Sequence, residues 1–85
     1  MSTLTTSEKK ALHTYSGNMT WFRTRYAELT KEFANKYVAI NAGGVIDSDY
    51  NPDRLIRRLR DTYGNEATMT FAIEFVTKSE VELIL

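Results

Sequence analysis

The first half of the chain carries one apolar stripe at helical spacing, and this stripe constrains the fold more than any other feature. Its members recur at alternating intervals of three and four residues, so at about 100° per residue they share one face of a helix. They are Leu12, Tyr15, Met19, Phe22, Tyr26, Leu29 and Phe33. Thr5 and Glu8 have the spacing of a capping box. The sequence therefore predicts one long helix over residues 5–35.

Gly17-Asn18 interrupts this helix, and two interpretations of it remain open. Glycine costs about 1 kcal/mol relative to alanine inside a helix, so Gly17 could cap a first short helix. The stripe nevertheless keeps its phase across Gly17, which a loop would have no reason to preserve. One long helix, bent near this point, is the favoured interpretation.

The middle of the chain predicts a hairpin followed by a second helix. Residues 37–41 have strand composition, Gly43-Gly44 predicts a turn, and residues 45–48 form the partner strand. Asn51-Pro52-Asp53 then supplies an N-cap, a proline at the first helical position and an acid near the positive helix end. This helix should end at Gly64.

The last third predicts one strong strand and a weaker one. Met69, Phe71, Ile73 and Phe75 alternate with more polar residues, which indicates a strand whose apolar side is the floor of the core. Residues 81–85 would return as a short last strand, with a helical end as the alternative. We expect Phe71, Ile73 and Val38 to be nearly fully buried. They should face the helix stripes, namely Phe22, Tyr26, Leu29 and Phe33 on the first helix and Leu55, Ile56 and Leu59 on the second.

These elements predict an α+β fold of order α-β-β-α-β(-β). A small mixed or antiparallel sheet with both helices packed on one face is the simplest arrangement. With 85 residues, the chain is expected to form a single domain over residues 1–85, with 1–6 as a flexible tail. No run of apolar residues approaches the roughly 20 that span a bilayer, and the polar N-terminus lacks the pattern of a signal peptide. The expected compartment is the cytoplasm.

Composition limits the chemistry available to the chain. There is no cysteine, which excludes disulfides, thiolate metal sites and cysteine nucleophiles. Eleven basic residues balance eleven acidic ones, and such neutrality argues against a dedicated polyanion binder.

From Trp21 to Asp49 the sequence resembles an uncharacterised prokaryotic family, often archaeal, known as domain of unknown function 5678. The resemblance lies in a Trp-containing helix, the strand Tyr37-Val38-Ala39-Ile40 and the turn and strand Gly44-Val45-Ile46-Asp47, and it continues through Tyr63-Gly64 to Val76. Family members carry Pro-Gly where this chain has Ala34-Asn35, and Asn tolerates the left-handed conformation at a helix end. The resemblance implies a fold and no activity.

No catalytic, cofactor-binding or metal-binding residue is predicted. His13, the only histidine, lacks a nearby partner for base, metal or switch chemistry, so a surface position is expected. Asp47-Ser48-Asp49 could approach a divalent cation, but the other ligands of a calcium loop are missing, which favours a polar strand end. Gly43-Gly44 joins two strands, whereas a phosphate cradle joins a strand to a helix. The protein is not expected to be an enzyme.

Four arginines on the second helix are the candidate site for an alternative function, nucleic-acid binding. Arg54, Arg57, Arg58 and Arg60 avoid the apolar side of that helix, and arginine binds phosphate with two parallel hydrogen bonds. Asp53 and Asp61 lie at helix-pair spacing from them, which favours an ordinary solvated face.

The favoured function is protein–protein association, with a homodimer as the expected state. The long helix exceeds the length of the strands, so Leu12, Tyr15 and Met19 would project beyond the sheet as an apolar ridge. Trp21 lies off the stripe and indicates either a partner surface, a bent helix or cover by the second helix. A break at Gly17, or edge-to-edge pairing of the last strand, are alternative ways to bury this surface.

Overall fold

Four helices and three strands follow one another in residues 3–77, the part of the chain that the structure, a computed structural model, describes. They are α1 (Thr6–Thr24), α2 (Tyr26–Glu32), β1 (Lys36–Asn41), β2 (Gly44–Asp49), α3 (Pro52–Tyr63), α4 (Asn65–Thr68) and β3 (Ala72–Val76). The predicted α+β class is confirmed. The strand predicted at residues 81–85 lies outside the described residues.

Helix α1 begins as the sequence predicts and passes through Gly17 without a break. The Thr5 hydroxyl accepts a hydrogen bond from the Glu8 amide, and the Thr5 amide donates to the Glu8 carboxylate, both at 3.1 Å. This reciprocal pair confirms the capping box. The hydrogen bond from the Thr5 amide, and next the Thr5 hydroxyl, lower the pKa of the Glu8 carboxyl.

The interruption of the first helix occurs at Arg25, whose φ and ψ are −100° and 7°. One long helix to residue 35 was therefore a wrong prediction, and the break occurs at Arg25 and not at Gly17. Just before the interruption, the hydroxyls of Thr20 and Thr24 donate to the carbonyls four residues earlier, at 3.0 and 2.9 Å. Such bonds compete with the helical ladder and often bend a helix. Helix α2 resumes at Tyr26, and both α1 and α2 contact β3.

The turn between β1 and β2 lies one residue earlier than Gly43-Gly44. Ala42 and Gly43 hold positive φ angles of 50° and 75°. Two such residues form a type I′ turn, whose twist matches that of the flanking strands. Gly44 is already the first residue of β2 and pairs with Asn41.

A β-bulge follows directly in β2. Ile40 pairs with Val45 and Ala39 with Asp47, so Ile46 is an extra residue that no partner opposes. Val45 contacts the core beneath α1, whereas Ile46 contacts the core beneath α3. The extra residue reverses the alternation, and Asp47 consequently faces the same side as Ile46.

The three strands form an antiparallel sheet in the order β2-β1-β3, covered by helices on both faces. One cluster beneath α1 and α2 contains Phe22, Leu29, Val38, Ile40, Ala72 and Val76. The other, beneath α3, contains Ala39, Leu55, Leu59 and Phe71. The prediction that both helices pack on one face was wrong. Val38, Ala39 and Ile40 are consecutive and fully buried, which requires cover on both sides of the central strand.

The predicted strand has one buried side, whereas β3 contributes side chains from both of its sides to the core. Phe71 is buried as predicted, but Ile73 is only half-buried, so the prediction of its nearly full burial was wrong. Both residues contact the cluster beneath α3 alone. Ala72 and Val76, on the opposite side, are fully buried beneath α1 and α2. Met69 was wrongly assigned to this strand. It follows the short helix α4 and is 79% exposed.

Asn18 fixes α1 to the sheet. Its buried side-chain amide donates hydrogen bonds to the Asn41 side-chain oxygen at 3.1 Å and to the Thr70 carbonyl at 2.8 Å. These acceptors lie at the end of β1 and just before β3. The twelve helical residues before Asn18, roughly 18 Å of α1, precede this attachment point.

Because α1 is continuous at Gly17 and a Cβ there would meet no atom within 4 Å, Gly17→Ala should stabilise the protein by about 1 kcal/mol. The measurement is urea unfolding monitored by circular dichroism. Gly64→Ala is the matched control and should destabilise, since Gly64 holds a φ of 87° at the end of α3. A loss of stability in Gly17→Ala would show that the helix is interrupted at this point.

Candidate functional site

The most concentrated charged cluster among the described residues joins β2 to α3. Arg58 donates to both oxygens of Asp47, at 3.1 and 3.0 Å, and to Asp49 at 2.7 Å. Arg54 donates to both oxygens of Asp49, at 3.0 and 2.9 Å. Arg58 also binds the Ser48 carbonyl at 3.0 Å. We call Asp47, Asp49, Arg54 and Arg58 the β2–α3 ion-pair network.

Two local features bring these side chains together. The bulge turns Asp47 and Asp49 towards α3, where they lie opposite Ala39 and Tyr37 of β1. The second feature is the start of α3, where the Asn51 side chain accepts from the amides of Asp53 and Arg54 at 2.9 and 3.2 Å. This cap fixes the phase of the helix, so that residues 54 and 58, one turn apart, present their guanidinium groups on one face.

Hydrogen bonds and charges within the network favour the charged forms of Asp49, Arg54 and Arg58. Arg54, the Asn51 amide and Arg58 hold the pKa of the Asp49 carboxyl far below its ordinary value. Hydrogen bonds to Asp47 and Asp49 raise the pKa of Arg58, and Asp49 raises that of Arg54. A carboxylate bound in this way is a weak candidate for proton transfer, because it stays ionised throughout the neutral range.

The network explains why Asp47-Ser48-Asp49 is a poor cation site. All four carboxylate oxygens of Asp47 and Asp49 accept at least one guanidinium hydrogen bond at 3.1 Å or less. A divalent cation would have to displace two arginines. Within residues 3–77 no group of three or more His, Asp and Glu side chains is placed to hold a metal ion.

The same pairing reduces the charge that the arginine face offers to a polyanion. Arg54 and Arg58 are neutralised by Asp49 and Asp47, while Arg57 and Arg60 form no ion pair within residues 3–77. Arg57 and Arg60 share a shallow groove with Asp53 and Asp61. The phosphate-binding potential of the four arginines is therefore much smaller than their number indicates.

The four residues predicted for self-association divide into two pairs. Met19 and Trp21 are half-buried and pack against the core beneath α1, with Trp21 close to the Gly43 turn and to Val45. Leu12 is 55% exposed and Tyr15 is 40% exposed. Met19 thus does not project into solvent, and the free ridge consists of Leu12 and Tyr15. His13 lies exposed on the same part of α1.

An open groove of about 540 Å³ begins at Tyr15 and runs between α3 and β3. Its lining residues are Tyr15, Ile56, Arg60, Asn65, Thr68, Met69, Phe71 and Ile73. It exists because α3 lies chiefly over β2 and β1 and leaves the outer part of β3 uncovered on this face. Sequence reasoning missed the groove, since no periodic pattern reveals α4 or shows that α3 sits to one side.

Comparison with protein families identifies a match to a family of unknown function (DUF5678) over residues 28–79. The resemblance found in the sequence is confirmed, and the match begins after α1. Asn35 holds a φ of 63°, the left-handed conformation expected of it at the end of the helix. No curated protein and no solved structure matches the chain. Among the described residues, no helix is long and apolar enough to cross a membrane.

The ion-pair network makes acid stability depend on Asp49. Because folding lowers the pKa of Asp49, its stabilising contribution is present above the unfolded pKa, near 4, and is lost as pH falls towards the folded pKa. Asp49→Asn should therefore be less stable than the parent at pH 7, and the difference should shrink as the pH falls below about 4. Urea midpoints measured across this range test the expectation. Asp61→Asn, at an exposed position of α3, is the control and should change little. A difference for Asp49→Asn that stays constant with pH would contradict the assignment.

The neutralised arginine face should not bind nucleic acid tightly. We expect no micromolar binding of duplex DNA or single-stranded RNA at about 150 mM salt, measured by fluorescence anisotropy. Micromolar binding that disappears when Arg57 and Arg60 are changed to Gln would contradict this expectation.

Proposed function

We propose that this chain, which belongs to the family of unknown function DUF5678, is a non-catalytic association module that forms a homodimer. The twelve residues of α1 that precede its attachment at Asn18 carry the exposed Leu12 and Tyr15, on the stripe that is buried further along the helix. This observation carries the proposal. Large apolar side chains in such a position favour burial against a partner.

The exposed ridge is continuous with a second apolar surface. Tyr15 also lines the groove between α3 and β3, where Met69 is the most exposed of the large apolar residues described. Burying one Leu or Met side chain stabilises an assembly by about 1.5–3 kcal/mol. In a two-fold dimer every such contact occurs twice, so a small surface can contribute substantially.

A catalytic role receives little support from the described residues. Arg54 and Arg58 hold the carboxylates of Asp47 and Asp49, and His13 is exposed on the projecting part of α1. Nucleic-acid binding through the arginine face is disfavoured by the same ion pairs. Protein association is the function that uses the surface left exposed.

The double variant Leu12→Gln, Tyr15→Gln tests the proposal, because glutamine preserves helix propensity while removing the apolar ridge. The parent chain should have twice the monomer mass by light scattering over a concentration series. The variant should dissociate at a concentration at least tenfold higher.

Tyr50→Gln is the matched control, since Tyr50 is 66% exposed and lies outside α1 and the groove. It should dimerise like the parent. A parent chain that remains monomeric at all concentrations would refute the proposal, and an unaffected double variant would place the contact elsewhere.

A further inference from the structure

The groove between α3 and β3 and the projecting ridge of α1 lie side by side on one molecule. Tyr15 belongs to both, because it follows Leu12 by one helical turn and also lines the end of the groove. A two-fold dimer requires a self-complementary surface, in which a protrusion and its receptor lie on the same chain. This chain has that combination around Tyr15.

We propose that the groove of each protomer receives Leu12 of a second copy of this chain, with Tyr15 next to the two-fold axis. This inference rests on the proposed self-association and specifies how it occurs. Leu12 of one copy would contact Met69 and Ile56 of the other, and the reciprocal contact would form on the opposite side of the axis.

The amount of apolar surface removed from water favours this arrangement over simple pairing of the two α1 helices. Met19 already packs against the core of its own chain, so helix-on-helix pairing could use only Leu12 and Tyr15 of the stripe. Met69, 79% exposed, would stay in water together with the groove. Insertion of Leu12 buries the ridge and the groove in one contact, and hence removes more apolar surface from water.

The charged residues at the margins suit the same arrangement. Glu8 lies one turn before Leu12 on α1, and Lys9 lies beside it. Arg60 lines the groove, and Asp61 lines the adjoining one. Both surfaces therefore carry both signs of charge, so Glu8 can approach Arg60 while Lys9 approaches Asp61. Such rim pairs fix orientation more than they add affinity.

Disulfide trapping tests the inference without interference, because the chain contains no cysteine. Leu12→Cys and Met69→Cys are made as separate proteins, distinguished by mass, then mixed and oxidised with glutathione. Disulfides form only where Cα atoms approach within about 4.4–6.8 Å. The expected product is the mixed disulfide between the two variants, formed at least tenfold faster than either homodisulfide. Tyr50→Cys, mixed with each, is the control for random collision and should remain largely unlinked.

The other outcomes separate the two proposals. A dominant Leu12→Cys homodisulfide would overturn the groove insertion and leave the dimer standing, with α1 paired to α1. A monomeric parent chain by light scattering would overturn both. An intrachain disulfide in the double variant Met69→Cys, Leu83→Cys, formed at a rate independent of protein concentration, would assign the groove to the end of the same chain and overturn the insertion.

Discussion

Ion pairs with β2, together with the buried Leu55 and Leu59, hold α3 over β2 and β1. Asp47 and Asp49 face that helix only because the bulge at Ile46 reverses the side-chain alternation of β2. Arg54 and Arg58 then bind them in forks at 2.7–3.1 Å. A helix held to one side of a three-stranded sheet covers the other side incompletely. The groove beside β3 lies on the side that α3 leaves uncovered, opposite the edge where the ion pairs form.

The two candidate sites of opposite charge in the sequence turn out to be one structure. The Asp47–Asp49 pair suggests a cation site and the arginines of α3 suggest a phosphate site, yet each is the other's partner. Residues separated by up to eleven positions satisfy one another before any ligand is needed. Dense clusters of one charge therefore have to be considered together with clusters of the opposite charge nearby in the chain, before either is assigned a ligand.

The sequence predicts local structure well and the relative placement of elements poorly. The caps at Thr5 and Asn51, the hairpin and the buried Val38 and Phe71 follow from short-range rules and are confirmed. The placement of α3 on the opposite face was missed, although the apolar run Val38-Ala39-Ile40 in β1 is typical of a strand covered on both sides. The bulge could not be predicted, because a single extra residue leaves no mark in so short a strand. The groove depends on both the placement of α3 and the bulge, so it could not be predicted from the sequence.

The hydrogen bonds of Asn18 determine which part of α1 can change in length. Its amide meets two fixed acceptors, Asn41 and Thr70, so sliding the helix along the sheet would leave polar groups unpaired. The attachment at Asn18 therefore fixes where α1 leaves the sheet, and the twelve helical residues before it form the overhang. Since the family match begins at residue 28, the overhang lies outside the shared part of the chain. Whole turns can be added or removed before Asn18 without disturbing the sheet, which makes the reach of α1 adjustable independently of the fold.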